Sequence, residues 1–245
     1  MGDRIIAGVD LAWLGTRNPT ALAIGRIAGN SVILHSVSGD HYGIGAVIEA
    51  LRCVPDLHGV AIDAPLVISN EVGMRACERE LGCAYGGRKA SCHASSLARY
   101  PNSDGVVLSN HLERLGFRHL GPTGQRWQLE CYPHPALIEI FGLRERLPYK
   151  KGTVGQKRVG QIELGRLICS LATSSLLPLH VPDDVRRQVE PDHIQHLVGR
   201  ELKRNEDMLD AIICMYIGAL YQAGQRDQVF GSVDEGYIYV PAFRG

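Results

Sequence analysis

Four aspartates define the chemistry this sequence can attempt. Asp10 and Asp63 each end an apolar run, Arg4-Ile5-Ile6-Ala7-Gly8-Val9-Asp10 and Gly59-Val60-Ala61-Ile62-Asp63. Asp is depleted in strands. A carboxylate there must be exposed at the strand's end, paired, or bound to a metal. Asp207 and Asp210 stand three apart on a late helical segment, where positions i and i+3 share a face. The plainer reading of that pair is helix-dipole complementation, because acids favour a first turn. Taken together, carboxylates from separated elements, each beside apolar sequence, resemble a divalent-cation site. Mg²⁺ prefers carboxylate oxygens and retained waters. Two such ions can clamp the attacking and leaving oxygens in phosphodiester hydrolysis. Glu130, just before Cys131-Tyr132-Pro133-His134, is a fifth candidate. Its alternative is an edge-strand acid paired with Arg or Lys.

Cationic side chains offer contacts to a phosphate. They are Arg75, Arg79, Arg88, Lys89, Lys150, Lys151, Lys157 and Arg158, and the alternative for each is a solvated surface. Arg75 and Arg79 lead this set, being i, i+4 on a predicted helix just after Asp63. His134 offers a general base or a phosphate contact, against the alternative of a hydrogen-bonded structural histidine. Trp127 and Tyr132 read as core. Cys77, Cys83, Cys92 and His93 lack Cys-x-x-Cys spacing, which argues against zinc. Gly43-Ile44-Gly45 has no third glycine of a dinucleotide fingerprint, and Gly152 to Lys157 lacks a P-loop ending. No Gly-x-Ser-x-Gly elbow occurs.

The elements that must position these groups follow from periodicity. The first apolar run reads as a strand buried on both faces. Thr20 to Gly25 and Val32 to Val37 follow as strands across short turns, an antiparallel meander. Gly43 to Cys53 has helical spacing, so the strand ending at Asp63 should return parallel to the first. As its neighbour, it would bring Asp10 and Asp63 to the carboxyl edge, where open α/β sheets bind ligands. Arg126 to Tyr132 is a fifth strand. Helices are predicted over 70–81, 107–115, 135–143 and 159–172, with a capped polar helix region over 182–199. The strongest late helix spans 205–222, and 237–240 adds a small strand. The stretch 147–158 has no acid and reads as a cationic surface. No internal repeat, low-complexity segment or linker appears. The expectation is one α/β domain over 1–245 with insertions at about 68–125 and 144–200.

Composition sets outer bounds. The 245 residues suffice for a substantial core, and 45% apolar with 21% charged residues is ordinary for a soluble globular protein. Lys and Arg balance Asp and Glu at 26 each, which argues against strong nonspecific attraction to nucleic acid or membrane. The opening run is too short for a signal peptide, and the late run 211–221 too short to span a bilayer. Seven irregularly spaced cysteines read as reduced thiols. A cytoplasmic location is the expectation.

The order strand-strand-strand-helix-strand, with Asp ending strands one and four and Asp-x-x-Asp-Ala on a late helix, resembles the ribonuclease H-like fold. Asp207-Met208-Leu209-Asp210-Ala211 is similar to the final acidic motif of Holliday-junction resolvases of that superfamily. More closely, five segments resemble the DUF429 family, described as predicted nucleases with a ribonuclease H fold. They are Gly8-Val9-Asp10, Ile62-Asp63-Ala64-Pro65-Leu66, Arg75-Ala76-Cys77-Glu78-Arg79-Glu80-Leu81, Glu130-Cys131-Tyr132-Pro133 and Asp207 to Ala211. The resemblance implies a mixed five-stranded sheet, strands 1–3 antiparallel and strands 1, 4 and 5 parallel, flanked by helices. It implies Asp10, Asp63 and Asp210 as metal-site residues, joined by Asp207 and Glu130. The expected cofactor is Mg²⁺ or Mn²⁺, and the expected partner is a nucleic acid or nucleotide substrate. Unlike ribonuclease H, the chain offers no convincing acid on the first helix, Glu49 having an uncertain register. A non-catalytic binding or scaffold protein would keep the fold without convergent acids. An ATP or sugar-phosphate enzyme of the same broad fold would need Gly-rich phosphate loops that are not found.

Overall fold

The computed structural model describes residues 3–224 and 228–241. The meander forms as β1 (Arg4–Asp10), β2 (Pro19–Ala28) and β3 (Ser31–Tyr42). Helix α1 (Ile44–Arg52) crosses back to β4 (Leu57–Asp63), which runs parallel to β1. Next come α2 (Ala76–Tyr85), α3 (Asp104–Arg114), β5 (Arg118–His119), β6 (Trp127–Glu130) and α4 (Pro133–Phe141). The chain continues through α5 (Val154–Ser170), β7 (Leu179–His180), α6 (Asp183–Arg186), α7 (Pro191–Ile194) and α8 (Gly199–Gln222). It ends in a hairpin of β8 (Gln228–Ser232) and β9 (Gly236–Val240).

The main sheet has seven strands, not five, in the order β5-β6-β4-β1-β2-β3-β7. The two extra strands are two-residue edge pieces inside the expected insertions. Two residues carry no periodicity to read. The strand at 237–240 forms as predicted but pairs with β8 rather than the main sheet, which it meets at a single bridge from Tyr239 to Cys131.

Side-chain alternation sorts the core into two layers. Ile6 of β1 and Ala61 of β4 pack on the α8 side with Leu209, Ile212 and Ile213. Ala7 and Val9 of β1, with Val60 and Ile62 of β4, pack on the other side with Val47 and Leu51 of α1 and Leu108 and Leu112 of α3. Helix α8 is buried all round from Asn205 to Leu220. A helix with no polar face belongs inside a protein.

Helix bounds moved where caps overrode periodicity. Helix α2 begins at Ala76, not Asn70, because Arg75 is an extended N-cap whose backbone N–H donates to the Glu78 carboxylate. Arg75 is buried and Arg79 exposed, so the two do not form one cationic surface. Helix α5 begins five residues before the predicted Val159, on a Thr153–Gln156 capping box. The region 182–199 holds two four-residue helices rather than one capped helix. Helix α8 starts at Gly199, six residues before Asn205. Among the described residues, no helix is long and apolar enough to cross a membrane.

Candidate functional site

Strand parity brings the aspartates together. Asp10 and Asp63 are in-register partners at the carboxyl ends of parallel β1 and β4. Each shares a face with its strand's α8-side residues, Ile6 and Ala61 respectively. Above that face lie Asp207 and Asp210 of α8, both buried. They sit in the third and fourth turns of α8, because the helix starts at Gly199. The dipole explanation for the pair fails, since that effect fades within the first turn.

Two side chains from the loop after α4 complete the cluster. The Tyr149 hydroxyl donates to Asp210 Oδ1 at 2.5 Å, and Lys150 Nζ lies 2.5 Å from Asp210 Oδ2. That second approach falls outside hydrogen-bond angles, so the fully buried Oδ2 has no aligned donor. The predicted cationic surface over 147–158 thus turns inward at Tyr149, which is fully buried, and at Lys150. Asp207 is held by Lys203, whose Nζ lies 2.5 Å from Oδ1 and also reaches Glu206 at 2.8 Å.

Burial dominates the protonation of this cluster. It raises the Asp10 carboxyl well above its ordinary value, and the charge of Asp210 adds to the effect. Burial also raises Asp63, to about 7, with Lys150 opposing the shift and Asp210 adding to it. Asp207 rises through burial too, against the pull of Lys203 and a side-chain hydrogen bond with Asp10. For Lys150 burial opposes the charged form, but Asp210 and then Tyr149 outweigh it, and the ammonium is held well above its usual range.

Glu130 does not join the cluster. It pairs in register with Ile62, so it faces the opposite side of the sheet from Asp63. Its oxygens accept from Arg75 Nη1 at 2.9 Å, Arg75 Nη2 at 2.5 Å and the Leu66 backbone N–H at 2.9 Å. Arg75 also donates through Nε to Glu78 at 2.8 Å. Glu78 in turn accepts from the Ser95 N–H at 3.1 Å and from the Ser95 hydroxyl. The Arg75 guanidinium is buried and engaged at all three nitrogens by protein acceptors, so the expected phosphate contact there is corrected to a structural one. Arg79 is exposed and donates to the Met74 carbonyl oxygen at 2.6 Å.

A pocket of about 260 Å³ opens beside Asp10 and Asp63. Its walls include Trp13, His93, Tyr132, His134, Arg146 and Lys151. Trp13, Tyr149 and Arg146 carry no sequence signal for the site, and Tyr132, expected in the core, is half-buried on the pocket. The Trp13 indole N–H donates to the Asp63 carbonyl oxygen at 3.4 Å, and the Tyr132 hydroxyl to that of Ser91 at 3.3 Å. His134 is buried and packs edge-on against Tyr132 and Tyr149. Burial, then Lys150, Arg146 and Lys151, push its pKa down to about 2, which makes it neutral at any working pH. Its Nδ1 is buried without a hydrogen-bond partner among the described residues.

The donor set fits a hard divalent cation: carboxylate oxygens from three elements, one of them lacking an aligned donor. The fit is not preformed. Among the described residues, no three His, Cys, Asp or Glu side chains converge on a point able to hold an ion. The ammonium of Lys150 stands against Asp210, where a cation would be wanted.

The raised acids predict a pH response. Asp63 binds its proton more tightly folded than unfolded, so its contribution is fully present below about pH 4. It is lost as pH rises through about 7. Between those limits the thermal midpoint of the metal-free protein should fall by several degrees more than that of Asp63→Asn, read by scanning calorimetry. Parallel curves for the two proteins would show that Asp63 is ionised throughout.

The model of a family described as "Protein of unknown function (DUF429)" matches residues 8–235. The chain belongs to that family. No curated protein and no solved structure matches it.

Proposed function

We propose that this member of the DUF429 family hydrolyses phosphodiester bonds of nucleic acid with the help of a divalent cation, on a ribonuclease H-like fold. The core order β3-β2-β1-β4-β6, antiparallel then parallel, supports the fold reading. One observation carries the functional reading: Asp10 and Asp63 stand in register beside a pocket with cationic walls, close enough to Asp210 of α8 that its charge adds to the rise of both carboxyls.

Asp10, Asp63 and Asp210 would hold Mg²⁺ or Mn²⁺, with Asp207 assisting from the same face of α8. The bound cation would supply a nucleophilic water and neutralise charge developing on phosphate oxygens. The chain's own residues orient the rest. Tyr149 and Lys150 fix the Asp210 carboxylate, Lys203 fixes Asp207, and the neutral His134 offers a hydrogen bond without charge. Glu130 acts at a distance, through its bond to the Leu66 N–H just beyond Asp63. A non-catalytic binding protein is the second reading. It is favoured by the Lys150 ammonium, which already neutralises Asp210.

Isothermal titration separates the two. Wild type should take up Mn²⁺ in the millimolar range or tighter, releasing protons as the raised acids ionise. Asp10→Asn should weaken uptake about tenfold or more, because affinity tracks ligand charge count. A panel of single-stranded, duplex, branched and RNA substrates should show divalent-dependent cleavage that Asp63→Asn lacks. Equal cleavage by that variant would expose a contaminant, and no Mn²⁺ uptake at all would leave the binding-protein reading.

A further inference from the structure

We infer that the pocket beside the carboxylates takes a single unstacked nucleotide at a strand end, its phosphate on Arg146 and Lys151 and its base among Trp13, Tyr132 and His134. This deepens the hydrolase reading and rests on it.

Size is the first argument. At about 260 Å³, the pocket lies just below the roughly 300–1,000 Å³ usual for small-molecule sites. One nucleotide can enter such a space, and a base-paired helix cannot. Charge is the second. Of the Lys and Arg side chains lining the pocket, Lys150 is taken by Asp210. The side chains of Arg146 and Lys151 show no ion pair or hydrogen bond among the described residues. They are the available cations on the pocket wall, so they fix where a phosphate sits. The equal numbers of acidic and basic residues fit this local recognition better than tracking along a long duplex.

The walls supply the third argument. Trp13 and Tyr132 are both half-buried on the pocket, and unpaired bases bind by stacking on such rings. Tyr132 is steadied by its bond to Ser91, and Trp13 by its bond to the Asp63 carbonyl. His134 is only 5% exposed, lines the same pocket, and keeps Nδ1 without a partner. Buried polar atoms rarely go unsatisfied in a native protein. The unmet atom is buried behind the pocket wall, so a small shift of His134 would be needed for a base or sugar group to reach it.

The tryptophans supply a readout independent of catalysis. Trp127 is fully buried and bonded to Gln222, so Trp13 is the indole a ligand can reach. Adenosine 5′-monophosphate, titrated without divalent ions, should change tryptophan emission saturably. Arg146→Ala with Lys151→Ala should weaken that binding roughly tenfold or more, and Arg146→Lys should restore part of it. Trp13→Phe should remove the signal while calorimetry still detects binding. Single-stranded DNA and RNA oligonucleotides should compete, and their relative strength identifies which strand the pocket takes. A blunt duplex should compete poorly. No saturable change, equal competition by the duplex, or unaltered binding by the double variant would overturn the assignment. Divalent-dependent cleavage by a protein that binds no nucleotide would overturn this pocket and leave the hydrolase reading. Nucleotide binding without cleavage of any polynucleotide would keep the pocket and remove the hydrolase.

Discussion

Arg75→Ala should cost about 3–5 kcal/mol of stability, read from the denaturant midpoint, because it strands two carboxylates inside the protein. The Arg75 side chain is 2% exposed, and Glu78 and Glu130 are 1% and 4% exposed. The guanidinium bonds both oxygens of Glu130, one oxygen of Glu78 and the Val67 carbonyl oxygen. Arg75→Lys should recover little, since one ammonium cannot reproduce a planar fork across two partners. Arg75→Met combined with Glu130→Leu should be more stable than Arg75→Ala alone. Removing Glu130 with Arg75 leaves one stranded carboxylate, Glu78, in place of two.

The network also bears on the site. Glu130 Oε2 accepts from the Leu66 N–H, three residues beyond Asp63. Loss of Arg75 should therefore weaken Mn²⁺ uptake even in the fraction that stays folded. Glu130→Gln separates positioning from catalysis, because it keeps the shape and one acceptor. A support role predicts a modest loss of affinity in proportion to lost stability. An inactive Glu130→Gln of wild-type stability would mean that Glu130 meets the substrate itself.

The sequence made Asp10 and Asp63 legible for a reason that also explains the misplacement of Glu130. Both aspartates close apolar runs whose crossover helix forces the strands parallel, so one inference placed both at a single edge. Glu130 closes a similar run, but strand side chains alternate, and its partner is Ile62 rather than Asp63. Register is set by pairing between strands, which a linear reading does not contain. Tyr149 is not marked by the sequence, and Lys150 is marked only as a surface cation, for a different reason. Both lie in a loop and turn onto Asp210 of α8, and no period reveals which loop side chains turn inward. The start of α8 was hidden because Gly199 to Arg204 is mostly polar. That hid the fact that Asp207 and Asp210 sit too deep in the helix to serve its dipole.

Gly8→Ala should be severely damaging, costing upwards of about 4 kcal/mol. Net stabilities run near 5–15 kcal/mol, so little of this variant should remain native. A Cβ at Gly8 would press into the Met215 backbone N and the Ala211 carbonyl oxygen, and would lie 2.7 Å from the Met215 Cα. None of these atoms can swing aside as a side chain does, so α8 must lift off β1. Gly25→Ala is the control. Its Cβ would meet the Met215 side chain, whose thioether can rotate, so about 1–3 kcal/mol is expected. Gly8 shares its strand face with Asp10, two residues on, while Ala211 directly follows Asp210. The close approach of β1 and α8 therefore also sets how near Asp210 comes to Asp10. A folded fraction of Gly8→Ala, recovered with a stabilising osmolyte, should bind Mn²⁺ more weakly than Gly25→Ala under the same conditions. Equal affinity in the two variants would mean that the carboxylates can gather without this contact, and that Asp210 contributes less to the site than Asp10 and Asp63.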